Sequence, residues 1–306
     1  MDMPPVITFL SDFGWDSGYP AACELVIVHQ NPVARVVHLT HSIPAGDVKR
    51  GAHMLRLLVA HAPVAVHLAV VDPGVGSRRR ALCLECGRGD CLVGPDNGLL
   101  LPAAVGLGGI DTAWDLSAPR IRSRAGLEGP LSRTFHGRDI FAPAAALLLA
   151  GEPPAALGRP LDPATLTPPF VEEPVVEPSR VITSVSEIDT FGNVQLQLGW
   201  PELQKWLGGL PAVQMPTMEI LLAAQVHGKA GGGVGTRGGP RTHRLTMVST
   251  YTDLRSGQLG LLADSWGLAA IAQRDGRAAD TLGVDLHDTV TLLPAEPKPA
   301  DPMAQG

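Results

Sequence analysis

Apolar residues in the first half of the chain fall into short unbroken runs separated by stretches with helical spacing. The first run, residues 6–10, ends at Ser11-Asp12-Phe13-Gly14. A helix is predicted over 18–29, with Pro20 in the first turn, where a missing N–H costs nothing. A second run covers 35–39. Asp47 then suits the N-cap of a helix whose apolar face carries Ala52, Leu55, Leu58 and Val59. A third run, 65–71, stops at Asp72-Pro73-Gly74. Continuous apolar strands alternating with amphipathic helices predict an α/β N-terminal domain over 1–151, its mostly parallel sheet covered by helices on both faces.

The pattern changes beyond Gly151. Eight prolines within 152–178 exclude a helix or central strand and predict a linker or extended crossover. Short strands follow at 180–186, 193–198, 218–223, 245–251, 259–262 and 289–293. Their spacing predicts a small antiparallel β-barrel C-terminal domain over 179–293, with a tail at 294–306. Six glycines in 229–239 predict a surface loop.

Composition narrows the function. Of 306 residues 45% are hydrophobic and 18% charged, enough apolar material for a full core. A net charge of −6, with only 4% aromatics, argues against nucleic acid and anionic membrane as partners. No apolar stretch reaches the ~18–20 residues of a membrane span. The first residues lack the basic charge of a signal peptide, and three of the four cysteines crowd into 83–91, which is no disulfide framework. A cytoplasmic protein is expected.

Candidate chemistry lies at the strand ends. Asp12, Asp72 and Asp96 each follow an apolar run, and in open α/β sheets ligands bind at that edge, where strand order reverses. Each loop taken singly is also ordinary turn chemistry. Thr134-Phe135-His136-Gly137-Arg138-Asp139 places a base, a cation and an acid together, or else marks a helix start. In the second half, Asp189-Thr190-Phe191-Gly192-Asn193 and Asp264-Ser265-Trp266-Gly267 read as hairpin turns or as walls of a purine site. Asp12, Asp16, Asp72, Asp96, Asp139, His41 and His136 could instead serve two cations in a metal-dependent phosphoesterase. Three weaker signals are set aside. The GxGxxG match at 233–238 lacks a flanking strand and helix, Cys83 and Cys86 have no matching second pair for zinc, and Arg88-Gly89-Asp90 is a chance tripeptide at a hairpin tip. His38 and His41 read as structural.

Taken together, Ser11-Asp12-Phe13-Gly14 with Asp16, Thr40-His41-Ser42-Ile43-Pro44, Val70-Val71-Asp72-Pro73-Gly74-Val75-Gly76, Pro95-Asp96-Asn97-Gly98, Phe135-His136-Gly137-Arg138-Asp139 and Asp189-Thr190-Phe191-Gly192-Asn193 form one ordered set. The chain resembles the S-adenosyl-L-methionine hydroxide adenosyltransferases, hydrolytic relatives of fluorinase and chlorinase. That resemblance implies hydrolysis of S-adenosyl-L-methionine to adenosine and methionine without metal or cofactor. It implies a homotrimer whose ligand lies between the N-terminal domain of one subunit and the C-terminal barrel of the next. By motif matching, Asp72, Arg79 and His136 become the catalytic set. Asp12 holds the ribose diol, and Asp16, Asp189 and Ser265 grip the methionine end. Asn193 meets the adenine edge, with Phe191 and Tyr251 lining that pocket.

The chemistry agrees with those roles. A sulfonium makes methionine a neutral leaving group, so the task is to fix a water in line with the C–S bond and deprotonate it. The related halogenases resemble one another in a Tyr-Pro-Ala-Thr-Gly type loop where this chain has Asp72-Pro73-Gly74-Val75-Gly76. A carboxylate there repels a halide and favours water. A non-catalytic adenosine-ligand sensor is the remaining alternative, and the intact Asp72, Arg79 and His136 set speaks against it.

Overall fold

The computed structural model describes residues 6–170, 173–208, 219–225 and 241–294, with backbone alone at 219–225 and 241. The predicted loop at 229–239 and the tail beyond 294 lie outside the described residues. The chain divides into two compact units, Met1–Val171 and Glu172–Gly306.

The first unit begins with β1 (Val6–Ser11), α1 (Tyr19–Gln30), β2 (Arg35–Thr40), α2 (Val48–Val59) and β3 (Val66–Val70). These follow the apolar runs closely, and the Asp47 carboxylate accepts from the Arg50 N–H at 2.9 Å as the N-cap of α2. Next come β4 (Ala81–Cys86), β5 (Cys91–Pro95), α3 (Leu101–Gly106), β6 (Ile110–Leu116) and α4 (Ala118–Arg124). A single π turn, Gly137–Phe141, opens into α5 (Ala142–Leu149). The proline-rich stretch departs from the expected linker: it contributes the one-turn helix α6 (Pro154–Leu157), whose proline sits in the first turn, and the edge strand β7 (Gly158–Leu161), which pairs with β6.

The sheet order is β2-β1-β3-β5-β4-β6-β7. Here the expected mostly parallel sheet needs correction, because the sheet is mixed. Pairings are parallel from β2 through β5 and antiparallel from β5 through β7. The cause is local: only Gly87 to Asp90 separate β4 from β5, and so short a link can join only antiparallel strands. Helices do cover both faces. Ile7, Phe9, Val70 and Cys83 pack with α1 and α5 residues, and Leu10, Ala69, Val71 and Leu84 pack with α2 and α3 residues.

In the second unit β8 (Val175–Glu177), β9 (Arg180–Ile188), β10 (Val194–Gly199), α7 (Trp200–Gly208), β11 (Glu219–Gln225), β12 (Arg241–Met247), β13 (Leu259–Ala263), β14 (Leu268–Gln273), α8 (Ala278–Leu282) and β15 (Thr289–Pro294) form a curled sheet. Its order is β10-β14-β13-β12-β11-β15-β9-β8, and β9 also pairs with β10, so the sheet turns back on itself. One pairing departs from the expected antiparallel arrangement: β12 and β13 run parallel. The long connection through the 3-10 turn Tyr251–Asp253 carries the chain back between them. Val185, Leu196, Leu261, Ile271 and Val290 fill the core against Trp206 of α7. Among the described residues no helix is long and apolar enough to cross a membrane.

Candidate active site

The four parallel strands deliver their following loops to one edge of the sheet. Residues 41, 12, 72 and 96 all lie there, just past β2, β1, β3 and β5. β2 and β3 flank β1 on opposite sides, so strand order reverses at β1, where a ligand site is expected.

Asp72 and Arg79 meet at that reversal. Arg79 Nε donates to Asp72 Oδ1 at 2.8 Å and Arg79 Nη2 donates to Asp72 Oδ2, a two-point grip on the carboxylate. Arg79 Nη2 also donates to His136 Nδ1 at 2.9 Å, and the guanidinium lies 5.0 Å from the Phe141 ring centre. All three side chains are largely buried. Gly76 permits the encounter: its φ is +77°, and a Cβ there would stand 2.3 Å from the Arg133 carbonyl oxygen. The Asp72 loop can therefore lie against the strand of chain leading to His136. The π turn immediately after His136 is a feature that recurs at functional sites.

The neighbouring arginines are placed differently. Arg80 binds Asp96 and the Thr165 carbonyl, while Arg78 is exposed. Asp96 also accepts from Thr167 N, so the third acidic loop straps the 163–167 segment rather than facing a ligand. Asp139 is likewise engaged, by Arg138, Arg122 and the Ser132 N–H.

Protonation follows from these contacts. Burial first, and then the Arg79 charge, lower the His136 pKa, so the ring is neutral at pH 7. Arg79 can only donate, so Nδ1 holds the lone pair and Nε2 carries the proton. Asp12 Oδ2 accepts from the Gly46 N–H at 2.8 Å, while burial raises its pKa. Asp16 is exposed on the loop after β1.

A chain of hydrogen bonds that sequence reading missed lies beside this edge. Ser11 Oγ is 2.7 Å from His41 Nδ1, His41 Nε2 is 2.7 Å from His38 Nδ1, and His38 Nε2 is 3.3 Å from Glu24 Oε2. His41 is fully buried with its pKa lowered to about 4, by burial first and His38 second. The His41 carbonyl also accepts from the Gly14 N–H at 2.8 Å, tying together the loops around Asp12. Nothing in the spacing of 11, 24, 38 and 41 marks them as one network. Only the fold joins two strands and a helix there.

The second unit holds a cavity of about 490 Å³ lined by Asp189, Asn193, Tyr251, Asp264, Ser265 and Trp266, among others. Four residues named from the sequence thus share one wall: Asp189, Asn193, Tyr251 and Ser265. Phe191 is 76% exposed and does not line it. Burial, with Asp189 and Asp264 nearby, raises the Tyr251 pKa. Gln195, not singled out from the sequence, also lines the cavity and donates to Asp264 Oδ2. Among the described residues no group of three or more His, Cys, Asp or Glu side chains is arranged to hold a metal ion.

Comparison with known proteins supplies a context for this geometry. The family model for the SAM hydroxide adenosyltransferase N-terminal domain matches residues 7–158, and that for the C-terminal domain of the same family matches 183–291. The chain is 42% identical over 290 residues to an (R)-S-adenosyl-L-methionine hydrolase of Salinispora tropica, covering 94% of this chain and 97% of that one. It is 36% identical over 294 residues to a protein of the same name from Thermus thermophilus, covering 95% and 100% respectively. A crystal structure of an uncharacterised conserved protein from Thermotoga maritima superposes with a TM-score of 0.79 at 29% identity, covering 94% of this chain and 99% of that one.

Proposed function

This chain belongs to the SAM hydroxide adenosyltransferase family, and from that premise we propose that it hydrolyses S-adenosyl-L-methionine to adenosine and L-methionine. The observation that carries the reading is the buried Asp72–Arg79–His136 set at the strand-order reversal. Water attacks C5′ in line with the sulfur, the C–S bond breaks, and its electron pair leaves on the neutral thioether of methionine. One proton is released overall.

The hydrogen bonds divide the labour. The neutral His136 accepts from Arg79 through its only free lone pair, so it orients the guanidinium and is not the base. Asp72 keeps a second lone pair on each oxygen and takes the proton from water. Arg79 steadies the developing hydroxide. Asp12, with its carboxylate fixed by Gly46, is suited to accept both hydroxyls of a ribose diol. Asp189, Ser265 and the exposed Asp16 are assigned to the methionine end, Asn193 to the adenine edge and Tyr251 to the base pocket, while the exposed Phe191 stands outside that cavity. Metal and cofactor have no part in this scheme.

The reading extends to assembly and place. The reacting set lies in the first unit, and the cavity with an amide, a phenol and a hydroxyl lies in the second. The homotrimer, with one substrate shared between neighbouring subunits, is carried over from the family resemblance. The four cysteines, all free thiols, fit a reducing cytoplasm.

The test is chromatography of products from each sulfonium epimer separately, in chloride buffer with and without chelator. The relatives' names lead to the expectation that the (R) epimer gives adenosine and methionine in equal amounts, unchanged by chelator. A 5′-chloro product, or loss of turnover in chelator, would refute the assignment.

A further inference from the structure

We propose that Asp189 is a positioning residue that locks the Asn193 carboxamide in one orientation and thereby makes the C-terminal cavity select a 6-amino purine over a 6-oxo purine. The proposal rests on the reading of an adenosyl substrate and adds to it the residue that enforces base identity.

The lock is visible in the hydrogen bonds of one five-residue turn. Asp189 Oδ1 accepts from the N–H groups of Phe191 and Asn193, both at 2.9 Å, and Asp189 Oδ2 accepts from Asn193 Nδ2 at 2.8 Å. A carboxylate only accepts, so the NH₂ end of Asn193 must face it. Rotating the amide by half a turn would set Asn193 Oδ1 against Asp189 Oδ2, oxygen on oxygen. The backbone of the turn is equally restrained. Asp189 N donates to Asn193 O at 3.1 Å, and Gly192 N donates to Asp189 O at 3.0 Å. Gly192 has φ +83°, and a Cβ there would meet Arg277 Cβ at 2.6 Å. Arg277 Nη1 donates to the Thr190 carbonyl at 2.7 Å, and Ala279 N donates to Gly192 O at 3.0 Å.

The rest of the Asn193 carboxamide is left for a ligand. Its Oδ1 and its second Nδ2 hydrogen have no protein partner among the described residues, and the residue lines the cavity beside Tyr251. An acceptor and a donor side by side match the 6-amino group and adjacent ring nitrogen of adenine. A 6-oxo purine presents an oxygen where Asn193 Oδ1 stands. Because the amide cannot turn over, the mismatch is not relieved.

The carboxylate's position also bears on its chemistry. Two N–H donors on Oδ1 and one on Oδ2 hold Asp189 in this role, and Oδ2 keeps a lone pair for the methionine end.

The test is calorimetric titration of the full-length protein with adenosine and with inosine, which reads the cavity whether or not turnover occurs. Wild type should bind adenosine at least about tenfold more tightly. In Asp189→Asn the new amide still accepts the backbone N–H groups, but its NH₂ faces Asn193 and draws that side chain's oxygen toward it. The adenosine preference should therefore fall at least about tenfold, with the melting temperature near wild type. Asn193→Ala, which spares the turn's backbone bonds, should lose the preference as well and serves if Asp189→Asn fails to fold. Equal loss of affinity for both nucleosides in Asp189→Asn, an unchanged preference in Asn193→Ala, or no preference in wild type would overturn the proposal. Adenosine preference without hydrolysis of either sulfonium epimer would instead overturn the functional reading and leave this one standing.

Discussion

The two functional regions are built on opposite principles. At the N-terminal edge the key groups are charged side chains held by other side chains, Asp72 by Arg79 and Arg79 by the neutral His136 ring, in a largely buried setting. In the C-terminal cavity the key carboxylates are held by backbone, Asp189 by two N–H groups of its own turn and Asp264 by those of Trp266 and Leu268. Charge pairing in a dry site gives reactivity, because little solvent must reorganise as charge moves. Backbone pinning gives shape, because an amide held on a rigid turn presents the same face to every ligand. The difference separates residues that act on the bond from residues that choose the molecule.

That comparison yields graded outcomes. The largest belongs to Asp72→Asn, expected to lower kcat by about 10³-fold or more by removing the proton acceptor, while KM changes little. A steady-state assay reads this, and retained turnover would break the assignment. Arg79→Lys should cost about 10²-fold in kcat, since an ammonium cannot span Asp72 and also reach His136. Smaller still is the contrast at His136. If the ring orients Arg79, Asn at this position offers its oxygen in place of Nδ1 and keeps about tenfold more activity than Ala. Equal loss in both variants would make the ring a base. The last effect is on stability. The His41 pKa, about 4 in the fold against 6.5 ordinarily, means the unfolded chain takes the proton first as pH falls. Its contribution is complete above 6.5 and is lost between 6.5 and 4, on the order of 3 kcal/mol. Urea unfolding across that range should show a smaller decline in His41→Asn.

The same contrast decides what could be read from sequence. Asp72 and Arg79 are seven positions apart in one loop, and Asp189 and Asn193 share one turn, so short motifs carry them. β1, β2, β3 and α2 were legible because each is an unbroken apolar run or an amphipathic stretch with its cap. The mixed sheet was hidden in a four-residue link between two strands, and the parallel β12–β13 pair in a connection whose return path leaves no periodic trace. The Ser11–His41–His38–Glu24 chain needs the β1–β2 register and the position of α1 together, which no local pattern encodes. Asp96 looked like Asp72 in sequence because both are turn acids past apolar strands. Which arginine each one meets is a tertiary fact.

The central claim is that water attacks C5′ while sulfur leaves. Turnover of S-adenosyl-L-methionine in oxygen-18-labelled water, followed by mass spectrometry of both products, tests it most directly. The account predicts one labelled oxygen in the 5′-hydroxyl of adenosine and none in methionine. Label in methionine, or adenosine formed without label, would contradict it.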